Sequence, residues 1–271
     1  MSGRGTTTAP HATGCITAEI NGNVGEIVID NPRQRNALTR EMCIDLAEQV
    51  RRLDADPRVT VITLRGRGDD FSAGAAINEL DQVLFDAGED GENLDHLSAA
   101  DAAICAALKP TVALVRGTCM GGGWQIASAC DISIAADSVR LAVTPSKLGI
   151  IYPRCGVERL VQRLGADKAK YVLFSADLIS ADKAALWGLL TDVVSEDEFE
   201  TVSHALVSRM ATRSQYSIRT MKSLIDSMVS ESPEHDDLWE EKWAKLPASE
   251  DFAVGRQAFL EGKRPRFTWD G

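Results

Sequence analysis

The run Gly25-Glu26-Ile27-Val28-Ile29-Asp30 reads as a short buried strand, halted by the turn pair Asn31-Pro32. Beyond it the apolar period lengthens to that of a helix. Met42, Leu46, Val50 and Leu53 share one stripe, with Thr39 placed to cap it and Asp56-Pro57 to end it. Residues 59–64 predict a second strand, closing at Gly66-Arg67-Gly68. The small residues 71–76 predict a turn, and Ile77, Leu80 and Leu84 mark a helix leaving it. Residues 86–95 are acidic and aperiodic, which predicts an exposed, mobile loop. An alanine-rich helix over 97–108 stops at Lys109-Pro110, before a third strand at 111–115.

Gly121-Gly122-Gly123 follows, and Ile126, Ala127, Ala129 and Cys130 suit the start of a buried helix. Short strands are expected at 131–135 and 140–143. Residues 144–156 read as a long loop whose path Pro145 and Pro153 fix. From there the pattern is helical at 157–164, 168–174 and 180–187, with Ser180 as N-cap. One strand at 189–194 interrupts it. Helices then cover 196–210, 215–229, 238–245 and 253–261. The expectation is a disordered leader over 1–15, an α/β core over 16–195, and a C-terminal helical region over 196–271.

Composition narrows the functional classes. The 271 residues are 44% hydrophobic and 25% charged, enough for a full core, and carry a net charge of -11. That charge repels nucleic acid and anionic membrane, so neither is expected as a partner. No apolar run approaches the roughly 20 residues of a spanning helix. Six cysteines (Cys15, Cys43, Cys105, Cys119, Cys130 and Cys155) form no CxxC pair or Cys/His cluster. Free thiols in a reducing cytoplasm are therefore expected, with no metal site. His96, in a helix near the middle, reads as structural. No dinucleotide-binding glycine fingerprint or GxSxG elbow occurs.

The candidate chemistry lies in the two small-residue turns. Strand, glycine triplet and helix start, taken from 111 to 130, point backbone N–H groups and a positive dipole end at one spot. Such a spot favours an anion or a developing oxyanion, though a plain tight turn would have the same sequence.

Several motifs in order resemble those of the crotonase, or enoyl-CoA hydratase/isomerase, superfamily. They are Asn31-Pro32 through Asn36-Ala37-Leu38, Phe71-Ser72-Ala73-Gly74-Ala75, Gly121-Gly122-Gly123 with Cys130-Asp131-Ile132, and Lys147-Leu148-Gly149. The resemblance runs from about Ile16 to Phe267. It implies a spiral of ββα units, C-terminal helices that build a homotrimer or a dimer of trimers, and an acyl-CoA substrate. No cofactor is implied beyond the coenzyme A of that substrate. It also implies that the backbone N–H groups of Ala75 and Gly122 clasp the thioester oxygen. Arg33, Arg35, Ala37, Ala73 and Lys263 become candidates for holding the coenzyme A moiety. Gly262 stands where the family's tail motif usually has lysine.

Two departures redirect the reading. Hydratases of this family use two glutamates, and here those positions hold Gln125 and Pro145. Glutamine takes no proton near neutral pH, and proline has no side-chain chemistry. The segment Thr144-Pro145, Lys147-Leu148-Gly149, Tyr152 resembles the matching loop of methylmalonyl-CoA decarboxylase, though that enzyme has histidine where this chain has Ala75. The resemblance thus implies decarboxylation or isomerisation before standard hydration, with Tyr152 donating to a departing carboxylate or guiding reprotonation. Two alternatives stay open. One is a non-catalytic acyl-CoA-binding protein. The other is a hydratase drawing a carboxylate from elsewhere, such as Glu79, Asp81 or Asp95.

Overall fold

The computed structural model describes residues 14–88 and 91–269. Strands β1 (Cys15–Asn21) and β2 (Val24–Asp30) form an antiparallel hairpin. Helix α1 (Arg40–Ala55) follows; the Thr39 hydroxyl accepts from the Met42 amide at 3.2 Å, and Met42, Leu46, Val50 and Leu53 are buried. Next come β3 (Val61–Gly66), α2 (Leu80–Leu84), β4 (Asp86–Ala87), β5 (Asn93–Leu94) and α3 (His96–Cys105). The middle of the chain holds β6 (Thr111–Val115), β7 (Thr118–Met120), α4 (Gly122–Ala129), β8 (Ile132–Ala136) and β9 (Arg140–Ala142). Then follow α5 (Pro145–Leu148), α6 (Arg154–Leu164), α7 (Ala166–Ser175), α8 (Ala181–Trp187) and β10 (Asp192–Val194). The chain closes with α9 (Phe199–Ala211), α10 (Gln215–Val229), α11 (His235–Lys245) and α12 (Glu250–Leu260).

The main sheet runs β1-β2-β3-β6-β8-β10, parallel from β2 onward. A second tier of very short pairings lies beside it: Leu38 with Ala75, Ser72 with Cys119, β7 with β9, and Leu141 with Ile179. Each turn of chain thus gives one strand to the large sheet, one short piece to the second tier, and then a helix. This is the spiral of ββα units expected from the resemblance.

Alternation along the strands divides the interior in two. Ile62, Leu64, Ala113, Val115 and Ala135 face the main core, with α1, α3 and α4 packed over it. Val61, Val112, Leu114 and Ile134 face the other way, where Phe199, Val207 and Ala211 of α9 cover them.

Four sequence expectations need correction. Strands β1 and β7 were not foreseen, because β1 alternates weakly and β7 is three residues long. Residues 86–95 are not simply a loose loop: β4 pairs with β5, and Asp86 is tied to two neighbouring elements. The stretch 144–156 contains α5, with Pro145 at its first turn, and α6 already starts at Arg154. Of the expected leader, residues 1–13 lie outside the described residues, whereas Cys15 opens β1.

Candidate active site

Three loops meet where the second tier is built. Asn36 sits at φ 57, a left-handed conformation that asparagine tolerates better than most side chains. Its side chain accepts from the Asn31 amide at 2.9 Å and donates to the carbonyls of Arg67 (3.0 Å) and Asp70 (2.6 Å). That fixes the 31–37 loop against the 66–71 turn. The Ser72 hydroxyl then donates to the Asn36 carbonyl at 2.7 Å, and the Ala73 amide to the Arg35 carbonyl at 2.8 Å. On the other side, Ser72 N donates to Thr118 O (2.9 Å) and Met120 N donates to Ser72 O (3.0 Å). The 71–75 and 118–122 turns are therefore stitched together through their main chains.

The stitching passes over two donors. Leu38 N reaches Gly74 O and Ala76 N reaches Leu38 O, both at 2.8 Å, so the Ala75 amide faces away from that pairing. The Gly122 amide, at the first position of α4, is one of the donors a helix start leaves open. Neither amide has a hydrogen-bond partner among the described residues. They are close neighbours: a Cβ placed on Gly122 would lie 3.1 Å from the Ala75 nitrogen. Gly74, at φ 94, makes the approach possible, since a Cβ there would meet Met120 O at 2.7 Å and Gly122 N at 2.9 Å.

Both donors border one cavity of about 480 Å³, part of it open to solvent. Gly74, Ala75, Gly121 and Gly122 form its floor. Ile77, Leu80, Leu84 and Leu97 make one wall, and Pro145, Leu148, Ile150 and Tyr152 another. Apart from Thr144 and Tyr152, the described lining side chains are apolar, and no carboxylate or imidazole is among them. An apolar chamber with two unpartnered amides on it can hold a polarised oxygen there and an apolar chain along the rest.

Residues 19–270 match the sequence profile of the enoyl-CoA hydratase/isomerase family. The chain belongs to that family. A solved structure of an enoyl-CoA hydratase/isomerase family member superposes with a TM-score of 0.94 at 48% identity, covering 97% of this chain and 100% of that one. The Mycobacterium bovis protein named "Probable enoyl-CoA hydratase echA8" is 30% identical over 254 residues, 93% of this chain and 97% of its own. The crotonyl-CoA hydratase of Syntrophomonas wolfei is 28% identical over 258 residues, with 93% and 97% covered.

Within this crotonase fold the sequence-predicted residues separate into groups. Ala73, Ala75, Gly122 and Tyr152 all line the chamber. Gln125 does not; it is fully buried, with Nε2 donating to Cys155 Sγ at 3.2 Å and its Oε1 unpartnered. Arg33 and Arg35 are exposed beside the 32–34 turn, and their side chains have no polar partner among the described residues. The Ala37 carbonyl is already taken by Asn31 Nδ2 at 2.9 Å. Lys263 is not among the chamber residues; it pairs with Glu261 at 2.8 Å in the C-terminal tail. Of the reserve carboxylates, Asp81 is exposed and Glu79 does not reach the lining. Asp95 caps α3, accepting from Ser98 N at 2.8 Å and Ser98 Oγ at 2.5 Å.

Tyr152 reaches the chamber as the resemblance implied, with its hydroxyl turned to the glycine turn. Its hydroxyl donates to the Gly121 carbonyl at 2.8 Å, so the proton expected at a departing carboxylate is committed to the glycine turn. Burial, with Asp101 adding to it, pushes the phenol well above the ordinary tyrosine range and keeps it protonated.

The far end of α4 carries a support that sequence reading missed. Asp101 and Arg159 form a two-pronged buried ion pair, with both bonds at 2.8 Å. Burial disfavours the Arg159 charge, but the Asp101 carboxylate outweighs it and holds the guanidinium charged. Arg159 also donates to Ser128 Oγ (3.2 Å), and Arg163 to the Ser128 carbonyl (2.8 Å). Cations at the C-terminal end of α4 complement its dipole, whose positive end is at Gly122. The only advance signal was an Arg pair spaced one turn apart on an amphipathic helix.

Proposed function

We propose that this protein binds an acyl-CoA thioester and stabilises an enolate at the amides of Ala75 and Gly122. The observation that carries this reading is the pair of unpartnered donors, side by side, on a chamber with no carboxylate among its described lining. Each such donor is worth roughly 2.7–4 kcal/mol of transition-state stabilisation in comparable sites.

The reaction best suited to this chamber is decarboxylation of a malonyl-type acyl-CoA. When the bond to the departing carboxylate breaks, its electron pair becomes the enolate and charge moves to the thioester oxygen. Carbon dioxide leaves, and the α-carbon then takes a proton from water. No protein base is required before the bond breaks. Hydration needs a group to activate water, and isomerisation needs one to carry a proton between carbons. Gln125 is buried away from the lining and Pro145 has no titratable group, so neither position supplies one. Tyr152 braces Gly121, and through it the neighbouring Gly122 donor. Arg33 and Arg35 are the exposed cations on the loop bonded to Ala73, which suits the coenzyme A phosphates.

Purified protein should release carbon dioxide from methylmalonyl-CoA or malonyl-CoA and leave crotonyl-CoA unhydrated. Fast hydration of crotonyl-CoA, as the relatives' names suggest for them, would overturn the decarboxylase reading. The lack of any carboxylate or imidazole among the described lining residues also favours a second reading, an acyl-CoA-binding protein without turnover. Calorimetry showing tight acyl-CoA binding, with no product from either substrate, would select it. Exposed Met228, Trp243 and Phe259 in the C-terminal helices support assembly into trimers, which sedimentation would test.

A further inference from the structure

One wall of the chamber is held by charge. Leu80 and Leu84, one turn apart on α2, line it, and Leu97 joins them from the first turn of α3. Asp86 stands two residues beyond Leu84, and His96 immediately precedes Leu97. The Asp86 Oδ2 atom takes both Arg40 Nε at 2.6 Å and His96 Nε2 at 2.9 Å. Arg40 opens α1, whose buried stripe belongs to the main core, and Glu41 beside it is the other carboxylate in reach, at 3.6 Å. One carboxylate oxygen thus joins the end of α2 to α1 and α3. Helix α2 has five residues, and only Val83 and Leu84 of them are buried. A helix this short has little cohesion of its own.

We propose that the Arg40–Asp86–His96 cluster sets the length of acyl chain the chamber accepts, by pinning the Leu80/Leu84 wall against it. This rests on the acyl-CoA reading above. The residues act by positioning: none of the three is on the chamber lining, and the contact with the acyl chain would be made by the leucines. With the cluster intact, the wall limits how many methylenes can be buried. Without Asp86, α2 loses both side-chain ties, and longer chains gain contacts that the pinned wall denies them. Each additional buried methylene is worth roughly four-fold in affinity.

The test is calorimetric binding of butyryl-, hexanoyl- and octanoyl-CoA to the full chain, to Asp86→Ala and to His96→Gln. In the wild type, affinity should stop rising with chain length within this series. Asp86→Ala should shift the octanoyl-to-butyryl affinity ratio toward the longer chain by about ten-fold, reflecting one to two more methylenes buried. His96→Gln keeps a donor for Asp86 and should shift the ratio less. A general loss of fold would weaken every ligand together and leave the ratio unchanged, as would an irrelevant cluster. An unchanged ratio in both variants, with butyryl-CoA still bound, therefore overturns the proposal alone. If the wild type binds none of the three esters, the acyl-CoA reading falls and this proposal with it.

Discussion

The floor of the chamber and its α2 wall are fixed by different kinds of bond. The floor is main chain against main chain: Ser72, Leu38, Gly74, Ala76 and Met120 exchange backbone hydrogen bonds of 2.8–3.0 Å across three loops. The wall depends on side chains, with one carboxylate oxygen joining Arg40 and His96 to α2. A floor built this way tolerates changes in side-chain identity but not an added Cβ, because backbone cannot move aside. A wall built from charged side chains can be retuned by single substitutions. Under the proposed function, chemistry that must keep its geometry sits on the first, and selectivity that can vary sits on the second.

The largest effect should come from placing a methyl group in the floor. Gly74→Ala puts a Cβ 2.7 Å from Met120 O and 2.9 Å from Gly122 N, at a φ of 94 that alanine rarely adopts. Either the turn shifts or the donors separate. Turnover on whichever acyl-CoA the wild type accepts should fall by roughly 10²–10³-fold. Strain at that φ should lower stability by about 1–3 kcal/mol in urea unfolding. Retention of wild-type turnover would show that the two amides do not act as a pair.

Next in size is the support behind α4. Asp101→Ala leaves Arg159 charged and partly buried, with the Gln125 carbonyl and Ser128 Oγ left to accept from it, which should cost about 1–3 kcal/mol. Replacing both residues together by apolar ones of similar volume should cost much less. Equal losses in the single and double variants, measured by denaturant unfolding, would mean that the pair is not the source of the effect.

These two predictions differ in how far the sequence revealed their basis. A glycine run after a strand also suits a plain tight turn, so the floor was legible only through the ordered motifs: Ala75 and Gly122 are adjacent as those motifs implied. The helix from Thr39 was legible too, since cap and stripe are local signals. The charged interior was not. Lys109 read only as part of a helix stop, yet it is buried, with Nζ donating to Leu53 O at 2.8 Å and Asp56 O at 2.5 Å. There it caps the end of α1 from more than fifty residues away. Asp101 and Arg159 are 58 residues apart, and nothing near either one announces the other. Tyr152 was placed at the chamber by its motif, but the direction of its hydroxyl depended on Gly121. Pairings set by the spiral's closure become visible only once the turns are stacked.

Tyr152 joins the other wall to the floor, so its removal measures how much the floor needs outside help. Tyr152→Phe deletes one buried hydrogen bond, while the Gly121 carbonyl keeps the Gln125 amide at 3.1 Å. The expected loss is about 1 kcal/mol. The folded state holds this phenol above its unfolded pKa of about 10. Its contribution is therefore complete below that pH and is lost as pH rises through the folded value. Wild type should lose more stability above pH 10 than Tyr152→Phe does. Parallel alkaline stability curves would contradict the buried, proton-committed hydroxyl.

The smallest effect belongs to the wall, and it has the opposite sign in pH. The bond from His96, followed by that from Arg40, holds the Asp86 carboxyl below the usual aspartate range. A depressed carboxylate contributes stability above its unfolded pKa of about 3.9, and that contribution fades as pH falls through the folded value. The Asp86 carboxylate reinforces the Arg40 charge, so Arg40 stays charged throughout. The ties on α2 should thus outlast the ordinary titration of aspartate. Amide hydrogen exchange over 80–88 should stay slow from neutral pH to about pH 4, once corrected for the intrinsic rate. In Asp86→Asn the same amides should already exchange faster at neutral pH, with no further acid step, because the charge that titrates is gone. Protection unaffected by Asp86→Asn would mean that Val83 and Leu84, by their burial alone, keep α2 in place.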